Sequence, residues 1–144
     1  MYQLNYRSES ITELEPKDVE AILAEANARN SAKNITGCLI YHNKSFVQIL
    51  EGNKKDVLHI YEKIIEDKRH HSIKMLWEND VENRCFTEWN MAYHQPEDKN
   101  LKLYVNNLLL LSQLSNRSSA SLLSFWATVR NILRGNEVRE FETV

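Results

Sequence analysis

Glycine and proline are scarce in this chain: Gly37, Gly52 and Gly135 are the three glycines, Pro16 and Pro96 the two prolines. With so few glycines there is no Gly-rich turn to bring backbone against a pyrophosphate, so neither a Rossmann fingerprint nor a P-loop is present. Cysteine is as rare. Cys38 and Cys85 stand alone, without a C-x-x-C pair or histidines at ligand spacing, which argues against a metal site and leaves both expected as free thiols. No apolar run approaches the roughly 20 residues of a membrane span, and the start MYQLNYRSES has no basic segment leading into an apolar one. A cytoplasmic location with no membrane role is expected. Net charge is small as well, at −2. Residues 1–100 carry 13 basic against 17 acidic side chains, so the main body offers no broad basic field and direct nucleic-acid binding is not expected.

What is present is the composition of one packed domain. The 144 residues are 42% hydrophobic and 26% charged, enough to bury a core without disulfide or metal staples. Tyr2, Leu4, Tyr6 and Ser8 alternate with Gln3, Asn5 and Arg7, the period of two of a strand with one buried face. Pro16 suits a first helical turn, and Val19, Ile22, Leu23 and Ala26 follow at helical spacing, giving a helix to about Asn30. Ile35 to Tyr41 and Phe46 to Leu50 flank a polar turn and read as a β-hairpin ended by Gly52 and Asn53. Val57, Ile60, Tyr61 and Ile64 mark a second amphipathic helix over 54–68, and Ile73, Met75 and Trp77, then Trp89, Met91 and Tyr93, mark two more strands.

The order β-α-β-β-α-β-β predicts an α+β, ferredoxin-like fold in which the third strand inserts beside the first and both helices cover one face of the sheet. Beyond Pro96, Leu101–Leu114 and Ser119–Leu133 read as a two-helix hairpin. The domain is therefore expected to occupy residues 1–97 and a helical extension residues 98–144. The first tail helix is apolar nearly all round, so it is expected to pack on the open sheet face and also against another copy of the chain. A homo-oligomer is the expectation. The mild basic excess of the tail assigns no partner.

Several polar residues fall where apolar ones are expected. Asn27 and Asn30 continue the inward stripe of the first helix; the spacing admits either a helix cap or an amide aimed into the core, where it needs a partner with both donors and acceptors. Asp67 lies at the edge of the second helix's apolar face, followed by Lys68, Arg69, His70 and His71. That cluster suits a phosphate chain at a pocket mouth, or equally a helix C-terminus needing cations. Gln48 shares a strand face with Phe46 and Leu50, near inward-facing Tyr6. The pair reads either as a satisfied core hydrogen bond or as a redox-active phenol coupled through an amide to a bound acceptor.

Tyr6-Arg7-Ser8, Asn30 with Asn34-Ile35-Thr36-Gly37, Phe46 through Gly52, Asp67-Lys68-Arg69-His70 and Phe86 through Met91 together resemble, in order and spacing, the signatures of the BLUF family of blue-light sensors. The resemblance covers about residues 2–95. It implies FAD between the two helices, with Asn30 on the pyrimidine edge, Gln48 between Tyr6 and the flavin, Phe46 and Ile64 against the ring, and Asp67, Arg69 and Lys63 at the polar periphery. It further implies that Tyr6 is the photochemical electron and proton donor through Gln48, that recombination leaves the glutamine rearranged, and that the absorption shifts slightly to the red. Trp89 and Met91 match the family's mobile signalling segment, although their spacing alone reads as core packing. With no enzymatic output expected from the chain, the signal is expected to pass to a downstream protein. Arg29 departs from the family pattern, where Asn or His is common.

The rival from another class is a flavin-free, ferredoxin-like interaction module. An RNA-binding sheet is disfavoured by the acidic body and by aromatics on the helix-covered face. Neither a nucleophile–base pair nor a metal set points to a hydrolase.

Overall fold

The computed structural model describes residues 1–42, 44–87, 92–94, 126 and 130. Over residues 1–94 the described elements are, in order, β1 (Tyr2–Ser10), α1 (Pro16–Ser31), β2 (Thr36–His42), β3 (Ser45–Gly52), α2 (Lys54–Glu66), β4 (His70–Asp80) and β5 (Ala92–His94). They form a five-stranded sheet in the order β4-β1-β3-β2-β5. As expected, β3 lies beside β1, antiparallel to it, with Tyr6 opposite Gln48. β5 runs parallel to β2 and places Ala92 opposite Cys38.

Local chemistry fixes the two helices. Pro16 stands in the first turn of α1, and the Glu15 N–H donates to Asp18 Oδ2 at 3.0 Å, closing the turn. Asn53 caps α2, its side chain accepting from the Lys55 N–H at 3.0 Å. Val19 and Ala26 from α1 and Val57, Ile60, Tyr61 and Ile64 from α2 pack on Tyr2, Leu4, Tyr6, Leu39, Tyr41, Phe46 and Leu50 of the sheet. Each fully buried aliphatic side chain in such a core contributes about 1.5–3 kcal/mol.

Two expectations are corrected. The first strand does not have a single buried face, because Gln3 and Asn5, read as the polar side, are 2% and 0% exposed. The opposite face of the sheet is itself a packed layer, to which β2 and β3 send Cys38, Ile40, Val47, Ile49 and Glu51, all buried. The second helix also stops at Glu66, two residues short, since Asp67 takes an extended backbone (φ −70°, ψ 118°). Cys38 and Cys85 are not joined in a disulfide.

The domain boundary at residue 97 and the helical hairpin lie outside the described residues, apart from Trp126 and Arg130, both helical. Trp126 is 2% exposed and meets Phe86 edge-on, ring centroids 5.9 Å apart at 85°. Among the described residues no helix is long and apolar enough to cross a membrane.

Candidate functional site

A cleft of about 560 Å³, counting its open mouth, lies between the helices and the sheet. Its apolar lining comes from Ile22 and Ala26 on α1, Leu39 on β2, Phe46 on β3 and Ile64 on α2. Ile22 is only half-buried although it faces the core side of α1, as befits a residue bordering open space. Tyr6 and Gln48 form part of the cleft wall, with Arg29, Glu25, Asp67, Arg69 and His70 completing it.

The Tyr6 hydroxyl donates to Gln48 Oε1. Both side chains are nearly sealed from solvent, at 3% and 4% exposure, because period-two alternation aims them from neighbouring strands onto the same face. Tyr61 packs beside the phenol, ring centroids 5.6 Å apart. Burial pushes the Tyr6 hydroxyl well above its ordinary value, Tyr61 and Asp67 add to the rise, and the Arg29 cation opposes it. Tyr6 therefore stays protonated and poised on Gln48.

At the mouth, Arg69 ties the end of α2 to the middle of α1. Its guanidinium donates to Asp67 Oδ1 and Oδ2 at 2.6–3.0 Å and to Glu25 Oε2 of α1 at 3.0 Å. The hydrogen bond from Arg69 holds the Asp67 carboxyl below its ordinary value despite partial burial. His70 is anchored on both sides. The Ile64 carbonyl, 2.6 Å from Nε2, can only accept, so Nε2 carries the proton, and in the neutral ring Nδ1 accepts from Ser8 Oγ at 2.7 Å.

Asn30 is fully buried, yet neither Nδ2 nor Oδ1 has a hydrogen-bond partner. It does not cap the helix with its side chain; its backbone carbonyl receives the N–H groups of Lys33 and Ile35 instead. An orphaned carboxamide costs about 1–3 kcal/mol, and a ligand edge bearing both donors and acceptors removes that cost. Asn27 Oδ1 and Arg29 Nε are likewise buried and unpartnered. An apolar slot, an orphaned amide beside it and a cation at its mouth fit a flat heterocycle with a phosphate chain, which is the chemistry of FAD.

Of the residues singled out from sequence, the structure brings Tyr6, Phe46, Gln48, Ile64, Asp67 and Arg69 together on one cleft. Asn30 sits one turn past Ala26, buried but not on the wall. Lys63 does not join them; it is exposed in the last turn of α2. Trp89 and Met91 lie outside the described residues. Glu25, Leu39 and Tyr61 went unnoticed as site residues, and for Glu25 no local signal exists, since an exposed helical glutamate acquires its role only from an arginine 44 residues away. No group of three or more His, Cys, Asp or Glu able to hold a metal occurs among the described residues.

Fold and cleft thus define a ferredoxin-like α+β domain whose cleft between helices and sheet, beside a hydrogen-bonded Tyr–Gln pair, has the shape and polarity for a flat, polar-edged cofactor. The chain belongs to the BLUF family, "sensors of blue-light using FAD", whose family model matches residues 1–92. It is 31% identical over 144 residues to the photoactivated adenylate cyclase subunit beta of Euglena longa, a match that covers 98% of this chain and 16% of that protein. The chain thus spans about a sixth of the length of that relative. Among solved structures, the photo-activated state of BlsA superposes with a TM-score of 0.76 at 28% identity, covering 90% of this chain and 94% of the other. The dark-state structure of the BLUF protein BlrB gives 0.74 at 25% identity, covering 90% and 95%. FAD is accordingly the cofactor of this family, and blue light its stimulus.

Proposed function

We propose that this chain senses blue light through Tyr6 and Gln48 and holds FAD with Asn30, Phe46, Ile64, Asp67 and Arg69, Lys63 serving the outer periphery. The observation that carries this reading is the buried hydrogen bond from the Tyr6 hydroxyl to Gln48 Oε1 on the wall of the cleft. When bound, FAD supplies the blue absorption and an electron-accepting excited ring. Tyr6 is the donor, and its proton leaves along the bond it already makes to Gln48. A carboxamide both accepts and donates, so Gln48 can take that proton at Oε1 and give it back as the electron returns to Tyr6, re-forming the neutral pair in a second arrangement. Seclusion from water keeps the exchange within the pair, because no bulk solvent competes for the proton. Asn30 orients the cofactor by satisfying its own amide. Asp67 positions Arg69, which neutralises the phosphate side.

The output is a shift in population between two arrangements of the sheet, carried through Trp89 and Met91 toward the tail and on to a downstream protein, with a second copy of this chain as a further partner. In the Euglena relatives a segment like this one is part of a photoactivated adenylate cyclase subunit. Here the domain is proposed to act by protein contact in the cytoplasm, without catalysis by its own residues.

Loading the purified full chain with FAD and recording spectra in the dark, under blue light and after return to the dark tests the proposal. A small red shift that reverses in darkness, and that is strongly impaired by Tyr6→Phe, is expected. A chain that stays colourless after FAD is supplied, or a Tyr6→Phe variant with an unaltered shift, would overturn it.

A further inference from the structure

Glu51 is fully buried, at 0% exposure, on the face of the sheet opposite the cleft. A buried carboxylate is costly unless hydrogen bonds satisfy it, and this one has three. Oε1 accepts from the Phe86 N–H at 2.8 Å, while Oε2 accepts from the Cys85 N–H at 2.7 Å and from Gln3 Nε2 at 3.0 Å. One side chain thus grips two successive backbone amides of the segment that leads to β5 and, through Gln3, ties them to β1. Charge-assisted bonds of this kind are the strong ones.

Arg84 completes the grip from the other side. Its guanidinium donates to Thr36 Oγ1 at 2.6 Å, the Asn34 carbonyl at 2.8 Å and the Glu51 carbonyl at 3.0 Å. Residues 84–86 are therefore fastened to the start of β2 and the end of β3. Phe86, 0% exposed, then meets Trp126 of the tail edge-on.

Glu51 stands three residues from Gln48 on the same strand and projects from the opposite face. A rigid strand with a partner at Gln48 on one side and a clamp at Glu51 on the other transmits a small tilt or slide, whereas a loosely packed segment would absorb it. We infer that Glu51 is the positioning residue that couples β3 to the output side of the domain, holding residues 84–86 so that a change at Gln48 reaches Phe86 and the Trp126 region. The inference rests on the proposed photochemical role of Gln48.

The test is hydrogen–deuterium exchange, light minus dark, on the FAD-loaded full chain, followed in peptides covering residues 84–86 and Trp126, with the flavin spectrum recorded on the same samples. Glu51→Gln keeps the size of the side chain but sets an amide donor against a backbone donor. The wild type is expected to show a red shift and a light-dependent exchange difference in both peptides; Glu51→Gln keeps the shift and loses the difference at Trp126. Retention of a wild-type difference in Glu51→Gln overturns the inference, as does a wild type that shifts without any difference at Trp126. A wild type with no shift at all contradicts the photochemical reading instead. Should Glu51→Gln not fold, Phe86→Leu serves in its place: it leaves the clamp intact and is expected to keep the difference at residues 84–86 while losing it at Trp126, and a retained Trp126 difference counts against the route.

Discussion

Tyr6 and Gln48 are directly opposite partners in the β1–β3 ladder, and the phenol donates its proton to the glutamine carbonyl oxygen within a cleft that both line. Backbone pairing therefore sets their separation. The ladder fixes the two backbones in register, so rotation of the Gln48 side chain can change the bond to Tyr6 without any change of strand pairing.

Because burial, Tyr61 and Asp67 all raise the Tyr6 hydroxyl above its ordinary value near 10, Tyr6 is expected to keep its proton throughout the neutral range. For a group whose folded value is raised, stability is fully present below the unfolded value and is lost as pH rises toward the folded one. The red shift should thus be insensitive to pH between about 6 and 9, and the contribution of Tyr6 to stability should fall only above about pH 10. Denaturant unfolding of wild type and Tyr6→Phe as a function of pH measures this: the alkaline loss should be smaller in the variant.

Asn30→Leu separates holding a cofactor from holding the fold. Removing an unpartnered buried amide should leave the FAD-free protein as stable as before or more so, by up to about 1–3 kcal/mol. The same change should reduce the stabilisation that FAD confers. Thermal unfolding with and without FAD reads both effects, and equal FAD stabilisation in the two proteins would remove Asn30 from the site.

Arg69→Ala should cost little stability, since ion pairs as exposed as those of Arg69 with Glu25 and Asp67 contribute about 0–1 kcal/mol. FAD affinity should fall by roughly tenfold, the equivalent of about 1.4 kcal/mol. Glu25→Gln, which releases Arg69 from its link to α1, should leave affinity unchanged or higher. Fluorescence titration with FAD distinguishes these outcomes; a Glu25→Gln loss as large as that of Arg69→Ala would mean that the link, not the cation, matters.

The Asp67 carboxyl is held below its ordinary value of 3.8, chiefly by the hydrogen bond from Arg69. A depressed value means that its contribution is present above the unfolded value and disappears as pH falls through the folded one. FAD retention should therefore persist through mildly acidic conditions, whereas Asp67→Asn, with no carboxyl to protonate, should hold FAD more weakly already at neutral pH and show a shallower loss on the same acid titration.

Much of this architecture was legible in the chain because the two periodicities are strong. Alternation about Tyr6 and Gln48 put both on the helix-covered face, and helical spacing from Val19 carried Asn30 inward. Asp67 reached the cleft for a different reason from the one its spacing gave: the helix ends at Glu66 and an extended residue turns the carboxylate onto Arg69. Gln3, Asn5 and Glu51 were illegible, since polar residues at alternate positions read as solvent-facing. Glu51 is buried only because Cys85, Phe86 and Gln3, distant in sequence, bring their N–H groups to it. Glu25 and Lys63 show the same limit from both sides, one drawn to the cleft by a tertiary partner and the other left exposed.

The most direct measurement is the light-minus-dark visible spectrum of FAD-loaded Gln48→Leu beside wild type. Leucine fills similar space but neither accepts the Tyr6 proton nor donates a bond of its own. A yellow variant with no red shift, next to a wild type that shifts and recovers in darkness, is the expected result; a shift of wild-type size in the leucine variant would contradict the assignment of Gln48 as the switch.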